Sequence, residues 1–236
     1  MDATLGDIVT NELLICTSPL QSCRFALLAR VQKAIEQGLH AKIISFMDFQ
    51  SSWAKSAERC NFAKLSIVPM NAASSNQDNS KVSFVNGAAL CAEGDVLENI
   101  EKLLWTFGKN DYIVLDGLDI VCSLYPDAET KNIQLKAFID RLIDTERRLC
   151  VSLTPRKSEK EDEIFARYWA HNSDQVVILQ NLKTGLASDV SGKLTVIRPE
   201  EDIKKEVLYK LGDRGVEIVT AGLISTSGRD DFSNLR

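Results

Sequence analysis

The sequence predicts an α/β fold with a mostly parallel central sheet and a set of antiparallel strands at its C-terminal end. Three observations carry this expectation. Short apolar runs alternate with segments of helical periodicity as far as residue 174. Runs such as Leu13–Cys16 and Tyr112–Leu115 are apolar without interruption, as strands covered on both faces are. Beyond residue 174 the helical segments stop, and strand follows strand. The chain has 236 residues, 44% of them hydrophobic and 26% charged. A chain of that size buries roughly 70% of its unfolded surface without disulfide or metal staples. The organisation expected is one domain over residues 1–225 and a disordered polar tail over 226–236.

The elements follow in order. Leu13–Cys16 reads as a buried strand running into Thr17, Ser18 and Pro19. From Leu20 to Gln37, apolar positions at Leu20, Leu27, Leu28, Val31 and Ile35 mark a helix that Gly38 stops. Ala41–Phe46 is the next strand, so the opening is a β-α-β unit with both strands parallel in one sheet. Ser51–Cys60 is a short helix, and Ala63–Val68 a strand stopped by Pro69. Residues 71–80 hold no large apolar side chain and read as a surface loop, its flanking strands belonging to one sheet. Asp95–Phe107 is a helix with Val96, Ile100, Leu103, Leu104 and Phe107 on one face. Tyr112–Asp116 is the most strand-like stretch and ends in a carboxylate. Thr130–Asp144 is a helix, and Arg148–Thr154 a strand closed by Pro155. Pro155–Glu163 is densely charged and reads as an exposed loop leading into a helix through His171. Gln175–Gln180, Lys193–Arg198, Glu206–Leu211 and Gly215–Thr220 are strands, the last two a hairpin about Gly212 and Gly215.

Composition excludes several classes. No run approaches 18 apolar residues, so no membrane span is expected. The first twelve residues hold three acids and no Lys or Arg, unlike a leader peptide. Cysteines at 16, 23, 60, 91, 122 and 150 form no C-x-x-C pair and read as reduced, partly buried thiols. The two histidines, His40 and His171, are too few for a histidine-built metal cage. An intracellular protein is expected, in the cytoplasm, with the nucleus open as a second location. With 28 basic against 33 acidic residues the net charge is −5, which argues against a surface that grips nucleic acid throughout and leaves room for a local basic patch.

This order of elements is used by RecA-like P-loop NTPases, among others. In a parallel α/β sheet, ligands bind beyond the carboxyl ends of the strands. The first strand-to-helix junction is where G-x-x-x-x-G-K-[ST] would cradle phosphate, its glycines admitting backbone amides, its lysine supplying charge and its hydroxyl holding magnesium. Here residues 17–24 read Thr, Ser, Pro, Leu, Gln, Ser, Cys, Arg, with no glycine, no lysine, and a proline that removes an amide donor. The phosphate loop is degenerate. Arg24 could approach an anion at a helix N-terminus, but a helix-surface arginine is the preferred reading. Asp116 has the position of the Walker B acid that holds magnesium. Without an upstream lysine it is read as a relic that caps or turns the chain before Gly117. No G-x-S-x-G and no cysteine with an arguable histidine partner is present, so no catalytic residue, cofactor or metal is expected.

Residues 180–198 are the most distinctive. Thr184 and Gly185, then Asp189 and Val190, then Gly192 and Leu194, follow the strand Val176–Leu179, with Asp189 and Gly192 at the first and fourth positions of a type I turn. A tyrosine-bearing strand at Glu206–Leu211, then Val216–Val219 and Gly222, complete a pattern that resembles the subunit 6 family of the Elongator complex. The specific match covers about the last 50 residues; the rest agrees in element order and in the missing phosphate loop.

The resemblance implies a RecA-like pseudo-ATPase. In that family the subunit joins subunits 4 and 5, two copies of each, in a hetero-hexameric ring. The ring is the accessory part of Elongator, binds tRNA, and supports wobble-uridine modification carried out by separate catalytic Elongator subunits. The tRNA-contact candidates are Arg156 and Lys157, at the carboxyl end of a strand, and Lys183 and Lys193, beside the signature turn. Four acids, Glu159, Glu161, Asp162 and Glu163, dilute the first pair, for which a solvated charged loop is the simpler reading. Two rivals stay open. A divergent but active RecA-like ATPase, of recombination-mediator or kinase-like type, would need residues 17–24 to hold phosphate unaided. A free-standing RNA-binding module would need a continuous basic stripe.

Overall fold

The computed structural model describes residues 7–17, 23–60, 62, 65–70, 81–92, 94–124, 128–143, 147–155, 160–182, 190–212 and 215–225. The strands are β1 (Asn11–Cys16), β2 (His40–Ser45), β3 (Ser66–Pro69), β4 (Lys81–Asn86), β5 (Asp111–Asp116), β6 (Arg148–Leu153), β7 (Gln175–Gln180), β8 (Gly192–Arg198), β9 (Ile203–Gly212) and β10 (Gly215–Ser225). They form one sheet in the order β10-β9-β8-β7-β1-β6-β5-β2-β4-β3. From β7 to β3 every neighbouring pair is parallel. The pairs β7–β8, β8–β9 and β9–β10 are antiparallel. The predicted division into a parallel bank and an antiparallel C-terminal end is what the chain adopts.

The helices are α1 (Arg24–Glu36), α2 (Gln50–Arg59), α3 (Val96–Trp105), α4 (Leu118–Cys122), α5 (Ala128–Ile143) and α6 (Lys160–His171), with a 3-10 turn at Gly87–Cys91. Gly38, at φ +78°, ends the α1 turn as its lack of a Cβ permits. The Asp95 carboxylate accepts from the amides of Leu97 and Glu98 and so caps α3.

Alternation along each central strand feeds two cores. Leu14, Ile43, Val114 and Cys150 pack with Phe25, Leu28, Val31 and Trp53 from α1 and α2. Leu13, Ile15, Ile44, Ile113 and Val151 face the other way, against Ile100, Phe138, Ile139 and Trp169 from α3, α5 and α6. This two-sided burial is why the strands read as unbroken apolar runs. The antiparallel strands join the first core through Tyr209, whose ring centroid lies 5.0 Å from that of Phe25.

One charged group sits inside the first core. Arg30 of α1 binds both oxygens of Glu12 on β1, and the Tyr112 hydroxyl on β5 donates to Glu12 Oε2 at 2.9 Å. All three side chains are buried. Burial pushes the Tyr112 phenol well above its ordinary range, and the Glu12 carboxylate beside it acts in the same direction.

The structure adds to the sequence reading in three places. β4 was not expected; Val82 and Phe84 point into the first core, and β4 pairs in parallel with β2 and β3. The opening strands β1 and β2 share the sheet but are separated by β6 and β5. α6 begins at Lys160, inside the stretch that the sequence reads as an exposed loop. The expected loop at 71–80 and the tail at 226–236 lie outside the described residues.

Candidate functional site

The carboxyl ends of β1, β2, β5 and β6 meet where a nucleotide site would be built. Register sets its central feature. Ser45 on β2, Asp116 on β5 and Ser152 on β6 are Cα partners, so parallel pairing places three polar side chains in one row. The Ser45 hydroxyl donates to Asp116 Oδ2 and the Ser152 hydroxyl to Oδ1, each at 2.7 Å. Ser45 Oγ in turn accepts from the Asp48 amide at 3.1 Å, and Ser152 Oγ from the Gly117 amide at 3.0 Å. Asp116 is 4% exposed. Burial raises its pKa above the ordinary carboxylate range, while the two serine hydroxyls and the charge of Arg24 pull the other way.

Beyond Asp116 the chain turns through Gly117 at φ +76° into α4. Close approach matters here too: a Cβ on Gly117 would lie 2.3 Å from Met47 Cγ, so the Met47 side chain rests on the bare backbone at the strand end. Asp119, in the first turn of α4, accepts from the Thr154 amide at 3.1 Å and ties the ends of β5 and β6 together.

The remaining site candidates are committed elsewhere in the fold. Thr17 donates both its amide and its hydroxyl to the Leu179 carbonyl, at 3.0 and 3.1 Å, extending the β1–β7 ladder by one residue. Arg24 forms an ion pair with Asp48, donates to Ser56 Oγ at 2.8 Å and to the Ser52 carbonyl at 3.3 Å, and lies 5.7 Å from the Trp53 ring centroid. Its guanidinium thus bolts α1 to α2. Cys16 and Cys23 bracket the first junction as buried thiols. A hydrogen bond shared with Cys23, which favours the protonated thiol, together with burial raises the Cys16 pKa well above the ordinary thiol range.

A triphosphate with its magnesium does not fit this donor set. The strand-end acid is hydrogen-bonded through both oxygens, the Thr17 hydroxyl is spent on a carbonyl, and Arg24 is matched by Asp48. No lysine stands anywhere in residues 17–24. Among the described residues, no group of three or more His, Cys, Asp or Glu side chains is placed to hold a metal ion. Among the same residues, no helix is long and apolar enough to cross a membrane.

Of the signature turn and the tRNA-contact candidates, the structure describes Val190, Gly192, Lys193 and Leu194. Lys193 Nζ pairs with Glu206 Oε1 at 3.1 Å across β8 and β9, and Gly192 opens β8 opposite Tyr209. Arg156, Lys157, Lys183, Thr184, Gly185 and Asp189 lie outside the described residues. Sequence reasoning missed Ser45, Asp48, Asp119 and Ser152. The one available signal was a serine near the end of two apolar strands.

The fold and the site together define a class. A KaiC-like protein from Pyrococcus horikoshii OT3 is similar over 93% of this chain and 94% of its own, with a TM-score of 0.56 and 10% identity. The flagellar accessory protein FlaH from Methanocaldococcus jannaschii is similar over 93% of this chain and 95% of its own, with a TM-score of 0.64 and 10% identity. The fold is RecA-like. No protein-family model matches the chain, and no curated protein matches it.

Proposed function

We propose that this chain is a non-catalytic RecA-like ring subunit, the counterpart of subunit 6 of Elongator, assembling with subunits 4 and 5 and supporting tRNA binding during wobble-uridine modification. One observation carries the non-catalytic part: Asp116, at the position of a magnesium-holding acid, is buried between Ser45 and Ser152 beside a junction with no phosphate-binding lysine. The signature residues from Val176 onward supply the link to Elongator. Large exposed apolar side chains at the carboxyl edge support assembly. Met47 and Phe49 follow β2, Met70 follows β3, and Ile120 and Leu124 follow β5. Such exposure on one edge marks protein interfaces.

Two measurements test the proposal. The purified chain is expected to show no ATP hydrolysis above buffer; turnover that Asp116→Ala abolishes would favour the divergent ATPase instead. Co-expression with subunits 4 and 5 should yield one assembly with two copies of each chain by native mass measurement, and Phe49→Asp should weaken it. A chain that stays monomeric beside both partners sinks the ring assignment.

A further inference from the structure

The opposite edge of the sheet carries a constellation that the ring reading does not use. Residues 104–110, the end of α3 and the turn that leads into β5, lie at the amino ends of the strands. Trp105 there is 69% exposed, whereas the other two tryptophans, Trp53 and Trp169, are 0% and 1% exposed. Four cations converge on this turn. The Arg147 guanidinium stacks 5.4 Å from the Trp105 ring centroid and donates to the carbonyls of Leu104 and Phe107. Arg148 donates to the Lys109 carbonyl at 3.2 Å, Lys109 itself is exposed, and Lys42 Nζ lies 6.0 Å from the Phe107 ring centroid.

Among the described residues, none of these four cations is paired with a carboxylate. Glu98 and Glu101, one to two turns back on α3, are held by Lys102 and Arg141, and the buried Asp111 accepts from the Gly108 amide. Among the described residues the edge is therefore locally basic, on a chain of net charge −5.

We propose that this edge is a stacking platform for single-stranded nucleic acid. A base lies on the open face of Trp105, and the flanking phosphates sit against Arg147, Arg148 and Lys109. Nucleic acid alternates planar and anionic groups along one strand, and this turn offers an indole and guanidinium planes in the same alternation. An acidic peptide supplies the charge without the planes. Salt screens the attraction beyond one Debye length, ~8 Å at physiological ionic strength, and the acidity of the rest of the chain opposes it further out, which keeps the site short and salt-sensitive. The proposal stands apart from the ring assignment and does not need it.

Trp105 is its own reporter, because the other two indoles are shielded from solvent. Titrating the full chain with a short uridine RNA or thymidine DNA is expected to quench tryptophan fluorescence saturably. Affinity should fall about tenfold over a fourfold rise in salt. A fluorescent oligonucleotide read by anisotropy should bind about tenfold more weakly to Trp105→Ala and also more weakly to Lys109→Glu, a change at an exposed turn that leaves the core intact. A preference for RNA over DNA, or equal binding, both fit. Absence of quenching up to about 1 mM oligonucleotide, beyond the weak end of non-specific binding, overturns the proposal. So does unchanged binding by Lys109→Glu, or equal quenching by poly-glutamate.

Discussion

Asp116 shows how a buried carboxylate is held in place by the hydroxyls around it. Its carboxylate is the acceptor for two buried hydroxyls, so Asp116→Ala strands both and should cost about 2 kcal/mol in chemical denaturation. Asp116→Asn keeps the shape and should stay within about 1 kcal/mol of the parent. The sign of the pH effect follows from burial: the folded pKa is raised, so the stability this group contributes is fully present below the ordinary carboxylate value and is lost as pH rises through the folded value. Denaturation curves from pH 4 to pH 7 should show that loss in the parent and not in Asp116→Asn. Gly117→Ala should cost about 1–2 kcal/mol, since φ is +76° and the added methyl meets Met47. The acid at the end of β5 was legible in the sequence because four apolar residues precede it. Its serine partners were not, since only strand register brings residues 45, 116 and 152 into one row.

Among the elements, α1 is held to the sheet by more than apolar contact. Glu12, Arg30 and Tyr112 join β1, α1 and β5 through a buried ion pair and a hydroxyl. Glu12→Gln leaves the Arg30 charge under-compensated and should cost about 3–5 kcal/mol. Replacing the pair with Glu12→Leu and Arg30→Met should recover most of that loss, which a double-mutant cycle of denaturation midpoints will resolve. Elements with strong periodicity and clear stops were readable from sequence: α1 before Gly38, α3 after Asp95, and β7 with both its bounds. β4 escaped because Val82 and Phe84 give only two inward positions beside a polar run, too little alternation to stand out. The β9–β10 hairpin was readable because Val207 and Tyr209 alternate inward before a Gly-bounded turn. No spacing in the sequence could announce the turn at residues 104–110, whose cations come from β2, the turn itself, and the start of β6.

For the molecule as a whole, the RecA-like sheet combines a parallel bank with an antiparallel end. The parallel strands other than β4 were expected from their short apolar runs, and the antiparallel ones from the loss of helices after residue 174. The strand order was not, because pairing partners far apart in the chain leave no local mark. That order governs how the chain comes into being. β1 pairs in the sheet with β6 and β7, whose residues run from Arg148 to Gln180 and are made long after it. On the ribosome its sheet partners are missing until those residues have emerged, and closing so long a loop is slow. A nascent chain stalled before Gln175 should stay protease-sensitive at Asn11–Cys16, a sticky apolar strand for chaperones to shield until the centre of the sheet can close around it.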